Sequence, residues 1–336
     1  MKNRSSLFSM IFLMSVILIS CNQNNDNQIV DESKFSKLTG PYLGQKPPGM
    51  KPELFAPDLL TAGGDVSSIT FSPDGMELCY FIWTPGGESL TEPKGPFQQM
   101  FILYSRIENG YWTEPKEFSF AHDRKQCYPF FSPDGERIYF VSWRSGQGPT
   151  MFVEKSNGEL SQPQNIFLKN DPKTGFVSVA ANLNLYFFNF IRYRFENGEY
   201  TLPEKLNIPE SDLGCHHPFI APDESYIIFD FPNAEDSFGE EDLYISFRDK
   251  NDNWTEPINM GEGINTMHRD KRAFVSFNGK YLFFSSNRIG ESKLPGETMT
   301  LTDLKQLMHK SPVNGYENIF WVSAKVIDDL KPDHLK

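Results

Sequence analysis

The segment FFSPDGERIYFVS, beginning at Phe130, returns in weaker copies along the chain: TFSPDGMELCYF from Thr70, FIAPDESYIIFD from Phe219 and FVSFNGKYLFFS from Phe274. Each copy is an apolar strand, a tight turn and a second strand rich in aromatics. Proline presets φ for the first turn position, Asp can bond the nearby backbone and Gly accepts positive φ, a combination that suits a hairpin. A second unit follows each hairpin: ILYSRIENGYWTEP, MFVEKSNGELSQP, RYRFENGEYTLP and LYISFRDKNDNWTEP, where Asn-Gly, or Asp252-Asn253, makes the next turn. The repeating unit is therefore four antiparallel strands, A to D, with A–B turning at SPDG and C–D at NG.

A four-strand unit recurring every roughly 40 to 50 residues is the signature of propeller blades, because one blade cannot bury both of its faces alone. The expected fold is all-β: a propeller of five blades, with six as the alternative count. Blade 3, FVSVAANLNLYFF, keeps two strands but has lost the SPDG turn, with Asn182 standing where the others have glycine. The fifth copy has strands A and B over Arg272 to Arg288, and NIFWVSAKV supplies C, but no D strand follows. Lys51-Pro52-Glu53-Leu54-Phe55 reads like the D segments WTEPKEF and TEPINM, so the N-terminal strand is expected to complete the C-terminal blade and remove the free edges. The domain boundaries expected are 51–330 for the propeller and 331–336 for a tail. Aromatics at 14%, with 30 Phe, 24 Gly and 24 Pro, fit many short strands and tight turns. A net charge of −12, spread along the chain, argues against nucleic-acid binding, which needs a basic stripe.

Residues 1–20 read as a signal peptide: Lys2 and Arg4 precede LFSMIFLMSVILI, an apolar run too short to span a bilayer comfortably. Leu18-Ile19-Ser20-Cys21 resembles the lipobox of bacterial lipoproteins. That resemblance implies cleavage before Cys21, lipidation of this cysteine and membrane anchoring in the bacterial cell envelope, at the outer membrane facing the periplasm or the surface. Residues 21–50 are then the lipidated Cys and a flexible tether, polar in NQNNDNQIVDE. Cys79, Cys127 and Cys215 remain, an odd number, so at least one is unpaired within a monomer.

The SPDG hairpin, SSNR at Ser285 to Arg288 and DLYIS at Asp242 to Ser246 resemble the TolB-type, WD40-like propeller repeat, over Lys51 to Ile327. TolB has six blades and a separate domain, whereas five blades and no further domain are counted here.

The short A–B and C–D turns lie on one face of such a ring. The B–C and D–A connections lie on the other and hold the extra length, at 84–98, 233–241 and 288–317. Long loops on one side of a rigid scaffold are where binding usually sits. The D–A connectors carry His122, His216, His217 and His268, beside Arg124, Arg269, Asp270, Lys271 and Arg272; Trp83, Trp143 and Arg144 fall at B-strand ends near the same face. Arg forks suit carboxylates, and aromatic platforms stack sugars or anchor a protein, so these residues are the candidate ligand site. They equally could bond loop carbonyls and one another. A His-ligated metal, as in oligogalacturonate lyases, which resemble this chain in fold type, is a sharper alternative, but no metal or other cofactor is assigned because spacing cannot show convergence. A glycosidase needs two carboxylates flanking the bond. The inner strands contain none, leaving Asp65, Asp230 and Asp270 at strand ends. No P-loop, nucleophile elbow or dinucleotide pattern is present, and no catalytic residue is assigned. The expectation is a lipid-anchored, non-enzymatic binding module for an envelope protein or an acidic glycan. The alternative is a carbohydrate-active enzyme, hydrolase or metal-assisted lyase, with its site at the same channel mouth.

Overall fold

A computed structural model describes residues 35–57, 59–60, 64–83, 100–118, 125–143, 148–166, 178–209, 214–232, 234–289, 298, 300–302 and 313–336. The signal peptide, Cys21 and residues 22–34 lie outside them. Among the described residues, no helix is long and apolar enough to cross a membrane.

Five four-stranded blades form the ring. In blade 1 strands A to D are Asp65–Phe71, Glu77–Trp83, Met100–Glu108 and Lys116–Glu117. Blade 2 follows with Lys125–Phe131, Arg137–Trp143, Thr150–Ser156 and Gln164–Asn165. Blade 3 is the shortest, with Ser178–Val179, Leu185–Phe187, Ile191–Tyr193 and Glu204–Lys205. Blade 4 has His216–Ile220, Tyr226–Pro232, Glu241–Phe247 and Ile258–Asn259. Blade 5 has Asp270–Val275, Tyr281–Ser286 and Asn318–Ser323, and its fourth strand is the N-terminal Glu53–Leu54. Glu53 pairs with Trp321 and Leu54 with Phe320, and the Phe55 amide continues the ladder to the Ile319 carbonyl at 2.8 Å. The ring is thus closed as the sequence pattern implied, and the outer edge of the blade 5 C strand is paired.

The turn chemistry follows the repeat. In blade 2 the Gly135 amide donates to the Ser132 carbonyl (2.9 Å), Asp134 accepts the Glu136 amide (2.9 Å), and Gly135 sits at φ 75. Blade 5 makes the same turn with Asn278 in place of the aspartate. In blade 3 the register differs from the sequence reading. Asn182 occupies the aspartate position, accepting the Asn184 amide, and Leu183 takes the glycine position at φ 68. Glu224 does so in blade 4 at φ 60, and its carboxylate accepts hydrogen bonds from Asn184 and Tyr186 of blade 3. The C–D turns at Asn109-Gly110, Asn157-Gly158 and Asn197-Gly198 all carry positive φ at both residues, the mirror-image turn that matches strand twist.

Between blades the core is aromatic and aliphatic. Cys79 and Ile102 of blade 1, for example, share one cluster with Phe131, Ile138, Phe140 and Val153 of blade 2. Cys79, Cys127 and Cys215 are all free and buried. Residues 35–50, expected in the tether, are packed. The Trp112 indole donates to the Gly40 carbonyl (2.9 Å), the Tyr42 amide to the Gly75 carbonyl (2.9 Å) and the Ser323 amide to the Gly49 carbonyl (2.9 Å). Tyr42 is buried against Phe71 and Tyr281, with ring centroids 5.0 and 5.2 Å away. This strap runs over the turn face from blade 1 to blade 5. A side chain at Gly75 would meet the Tyr42 ring at 2.9 Å, which is why glycine is required there beyond its φ. After the blade 5 C strand come a short helix, Lys325–Leu330, inside the bounds expected for the propeller, and a single 3-10 turn, Asp333–Leu335, within the expected tail.

Candidate functional site at the channel mouth

The inner strands run from the loop face to the turn face, and four of them break register on the way. Bulges fall between Val66 and Ser68, Cys127 and Phe130, His216 and Phe219, and Lys271 and Phe274. An extra residue at a bulge turns its side chain and frees its amide from the ladder. In three blades the bulged residue is non-glycine with left-handed backbone: Tyr128 at φ 55, His217 at φ 39 and Arg272 at φ 56. Side chains this large rarely tolerate that conformation, so local strain is held in place by the surrounding structure. Two residues further along, Phe130, Phe219 and Phe274 meet with ring centroids 5.8 to 6.3 Å apart and plug the channel toward the turn face. The three strained residues lie above this plug, on the loop-face side.

They converge. The Tyr128 ring is 5.5 Å from the His217 ring, and the Arg272 guanidinium is 5.9 Å from the Tyr128 centroid. Asp230, fully buried on the B strand of blade 4, accepts from His217 Nδ1 at 3.1 Å and from the Arg272 amide, freed by its bulge, at 3.2 Å. Glu317, at the start of the blade 5 C strand, receives Lys271 Nζ at 2.7 Å, Arg272 Nη1 at 2.8 Å and the Ser67 hydroxyl. Lys271 also reaches Glu241 at 3.1 Å, and Glu241 lies 3.7 Å from His216 Nδ1.

Burial opposes the charge on Glu317, but Arg272 and Lys271 outweigh it and hold the carboxyl at about 2. Burial likewise works against Glu241, yet His216 and Lys271 keep it far below the usual carboxylate range. The two neighbouring imidazoles are driven apart. The nearby Glu241 carboxylate raises His216, whereas burial lowers His217 despite the pull of Asp230. Two buried polar atoms at the mouth, Arg272 Nε and Ser68 Oγ, have no hydrogen-bond partner among the described residues.

Of the residues singled out by sequence, His216, His217, Lys271 and Arg272 belong to this cluster. Arg269 lies outside it, paired with Glu240 at 2.6 Å, and Asp270 is buried, accepting from Arg288 and Thr266. The His268 amide donates to Thr266 Oγ1. Trp83 packs into the blade 1 and 2 interior rather than forming an open platform. His122, Arg124, Arg144 and the Trp143 side chain lie outside the described residues. Sequence reasoning missed Tyr128, Glu241 and Glu317 and gave Asp230 only as a strand-end carboxylate. A signal existed for the bulges: Pro129 and Pro218 follow Tyr128 and His217 inside inner strands, where proline breaks a ladder.

The basic connector residues were expected to suit an acidic ligand; among the described residues, Lys271 and Arg272 are committed to Glu241 and Glu317, with Asp230 beside them. The ligand atoms of His216, Asp230 and Glu241 lie within 4.8 Å of one another, a spacing that could hold a divalent cation.

No family model matches the sequence, and no curated protein matches it. Solved structures do resemble the fold. TolB from Acinetobacter baumannii is 14% identical with a TM-score of 0.43, over 79% of this chain and 59% of that one, so this chain spans about three-fifths of that protein's length. A putative TolB from Agrobacterium tumefaciens is 12% identical, TM-score 0.41, over 67% and 71% of the two chains. A glycosyl hydrolase from Bacteroides ovatus is 9% identical, TM-score 0.46, over 85% and 93%. The likeness is one of fold alone, and the five-bladed propeller rests on the strand pairings described above.

Proposed function

We propose that the chain is a lipid-anchored propeller of the bacterial envelope that binds a protein or glycan, without catalysis, at the loop-face mouth of its channel. One observation carries the reading: Tyr128, His217 and Arg272, from three blades, are held in strained backbone so that their polar side chains meet above an aromatic plug, with Arg272 Nε left without an acceptor among the described residues. A donor buried without a partner is costly in a free protein and becomes useful when a ligand supplies the acceptor. Any preference for acidic ligands rests on His122, Arg124 and Arg144, because Lys271 and Arg272 are already paired.

The test is calorimetry against a panel of neutral and uronate-bearing oligosaccharides, using wild type, Tyr128→Phe, His217→Gln and the turn-face control Asp134→Asn. Mouth variants should lose about tenfold or more in affinity, as for removal of a buried hydrogen-bonding group, and the control should lose none. Binding that survives the mouth changes and disappears with Asp134→Asn would refute the assignment.

A second reading, a metal-assisted lyase or hydrolase, is favoured by the His216, Asp230 and Glu241 cluster. It requires turnover of a panel member that depends on added divalent cation and is lost in Glu241→Gln.

A further inference from the structure

We propose that the loop-face ends of blades 4 and 5 form a docking surface for a polypeptide segment of another protein in which apolar side chains stand between basic ones. Four large apolar side chains are left in water there: Phe238 (47% exposed), Met267 (72%), Ile289 (46%) and Tyr316 (36%). They follow one another across the surface. A side-chain carbon on Gly239 would lie 2.9 Å from the Met267 carbonyl carbon, so the Phe238 loop and the Met267 connector are in contact. The ladder of Lys271 with Ser285 and Asp270 with Ser286 runs on through hydrogen bonds between Arg269 and Asn287, at 2.9 and 3.3 Å, toward Met267 and Ile289. Ile289 in turn bridges Asn314, two residues before Tyr316.

Single exposed apolar residues are ordinary, but a run of four is not, and this one is mounted rigidly. Asp242, fully buried, accepts the Phe238 amide at 2.7 Å and the Gly239 amide at 3.2 Å. Asp236 accepts the Tyr244 hydroxyl at 2.6 Å, and Asn259 Nδ2 donates to the Asp236 carbonyl at 3.1 Å. A buried carboxylate thus fixes a loop whose tip presents an aromatic ring outward. Little ordering remains to be done on binding, the condition under which an aromatic anchor contributes most.

Charge selects the partner. Glu235, Asp236 and Glu240 are exposed on the same loop. Among the described residues the nearby cations are engaged, Arg269 by Glu240 and Arg288 by Asp270, and Glu235 and Asp236 have no cationic partner. The rim is therefore acidic and disfavours nucleic acid, anionic lipid and a second copy of a chain with net charge −12. A basic and apolar polypeptide fits both features.

This inference deepens the reading of the loop face as the binding face but does not use the channel cluster. The probe is a synthetic peptide alternating Leu and Phe with Lys and Arg, followed by fluorescence anisotropy. Its control peptide replaces the basic residues with Glu. Wild type should prefer the basic peptide and lose affinity as NaCl rises from about 50 to 200 mM. The double variant Phe238→Ser, Met267→Ser should bind about tenfold or more weakly, and Glu235→Lys should also weaken binding. His217→Gln should leave it unchanged, so this proposal and the channel reading can fail separately. Equal binding of the acidic peptide, or binding unaffected by the double variant, overturns the proposal. So does sedimentation showing that the protein alone pairs with itself through this face, which would assign the surface to a second copy.

Discussion

Glu317 carries its charge where water is excluded, between Lys271 and Arg272. Its folded-state pKa, about 2, lies below the ordinary carboxylate value, so its stabilisation is full above the unfolded pKa and is lost as pH falls toward 2. A depression of this size is worth about 3 kcal/mol at neutral pH. Glu317→Gln leaves two buried cations short of a partner and should cost about 3–5 kcal/mol. Denaturant unfolding at pH 7 and pH 3 checks both statements: the gap between wild type and variant should narrow by about 2 kcal/mol at the lower pH. A constant gap would mean that Glu317 acts through packing alone. The adjacent imidazoles give an independent reading. In an NMR titration His216 should protonate above the usual histidine range and His217 below it. Linkage then has opposite signs: His216 adds stability that fades as pH rises through its raised pKa, and His217 subtracts stability as pH falls below the unfolded value.

At the level of the hairpin, one rule of turn chemistry explains both what the sequence reveals and what it conceals. Ser132-Pro133-Asp134-Gly135 and its counterparts specify their turns through local bonds, so blades 1, 2 and 5 are legible residue by residue. Blade 3 is not, because Leu183 takes a glycine role that its side chain disfavours, tolerated only within the assembled sheet. Leu183→Gly should therefore stabilise the protein by about 1 kcal/mol, the strain of a left-handed non-glycine residue, seen as a raised Tm. No gain in Tm would indicate that packing of the Leu183 side chain offsets the strain. The strap escaped notice for a related reason. Phe35, Tyr42 and Leu43 have no strand or helix period, and they are buried on surfaces supplied by distant blades. Of the cluster, His216, His217, Lys271 and Arg272 were among the connector residues that the repeat points to, whereas His268 falls outside it. Glu241 and Glu317 were not legible, because nothing local marks a carboxylate whose partners arrive from other blades.

For the whole molecule, the seam between Glu53–Leu54 and Asn318–Ser323 holds the ring shut. Deleting residues 51–60 should expose the edge of blade 5 and lower Tm substantially, while deleting 22–31 should change it little. Equal melting of the two truncations would contradict a closing role for the strand. In the proposed lipoprotein, Cys21→Ala should abolish lipid labelling and release the chain from membranes, since each buried methylene of an acyl chain contributes about 0.8 kcal/mol. Labelling that persists in the variant would rule out this cysteine.

The seam also fixes an order of events in time. Asp65 of blade 1 and Glu317 of blade 5, bonded to each other where the ring closes, are 252 residues apart in sequence, so blade 1 meets blade 5 only after the chain has been made as far as Glu317. Pairing over such a distance is slow to nucleate, because the chain must bring its ends together before any contact rewards the closure. Every unfinished chain, whether still emerging or cut short before Asn318, has an orphan first strand and an open last blade. Only a chain made through Ser323 can hide both, so synthesis past the blade 5 C strand becomes a structural property, readable as the presence or absence of a sticky β-edge.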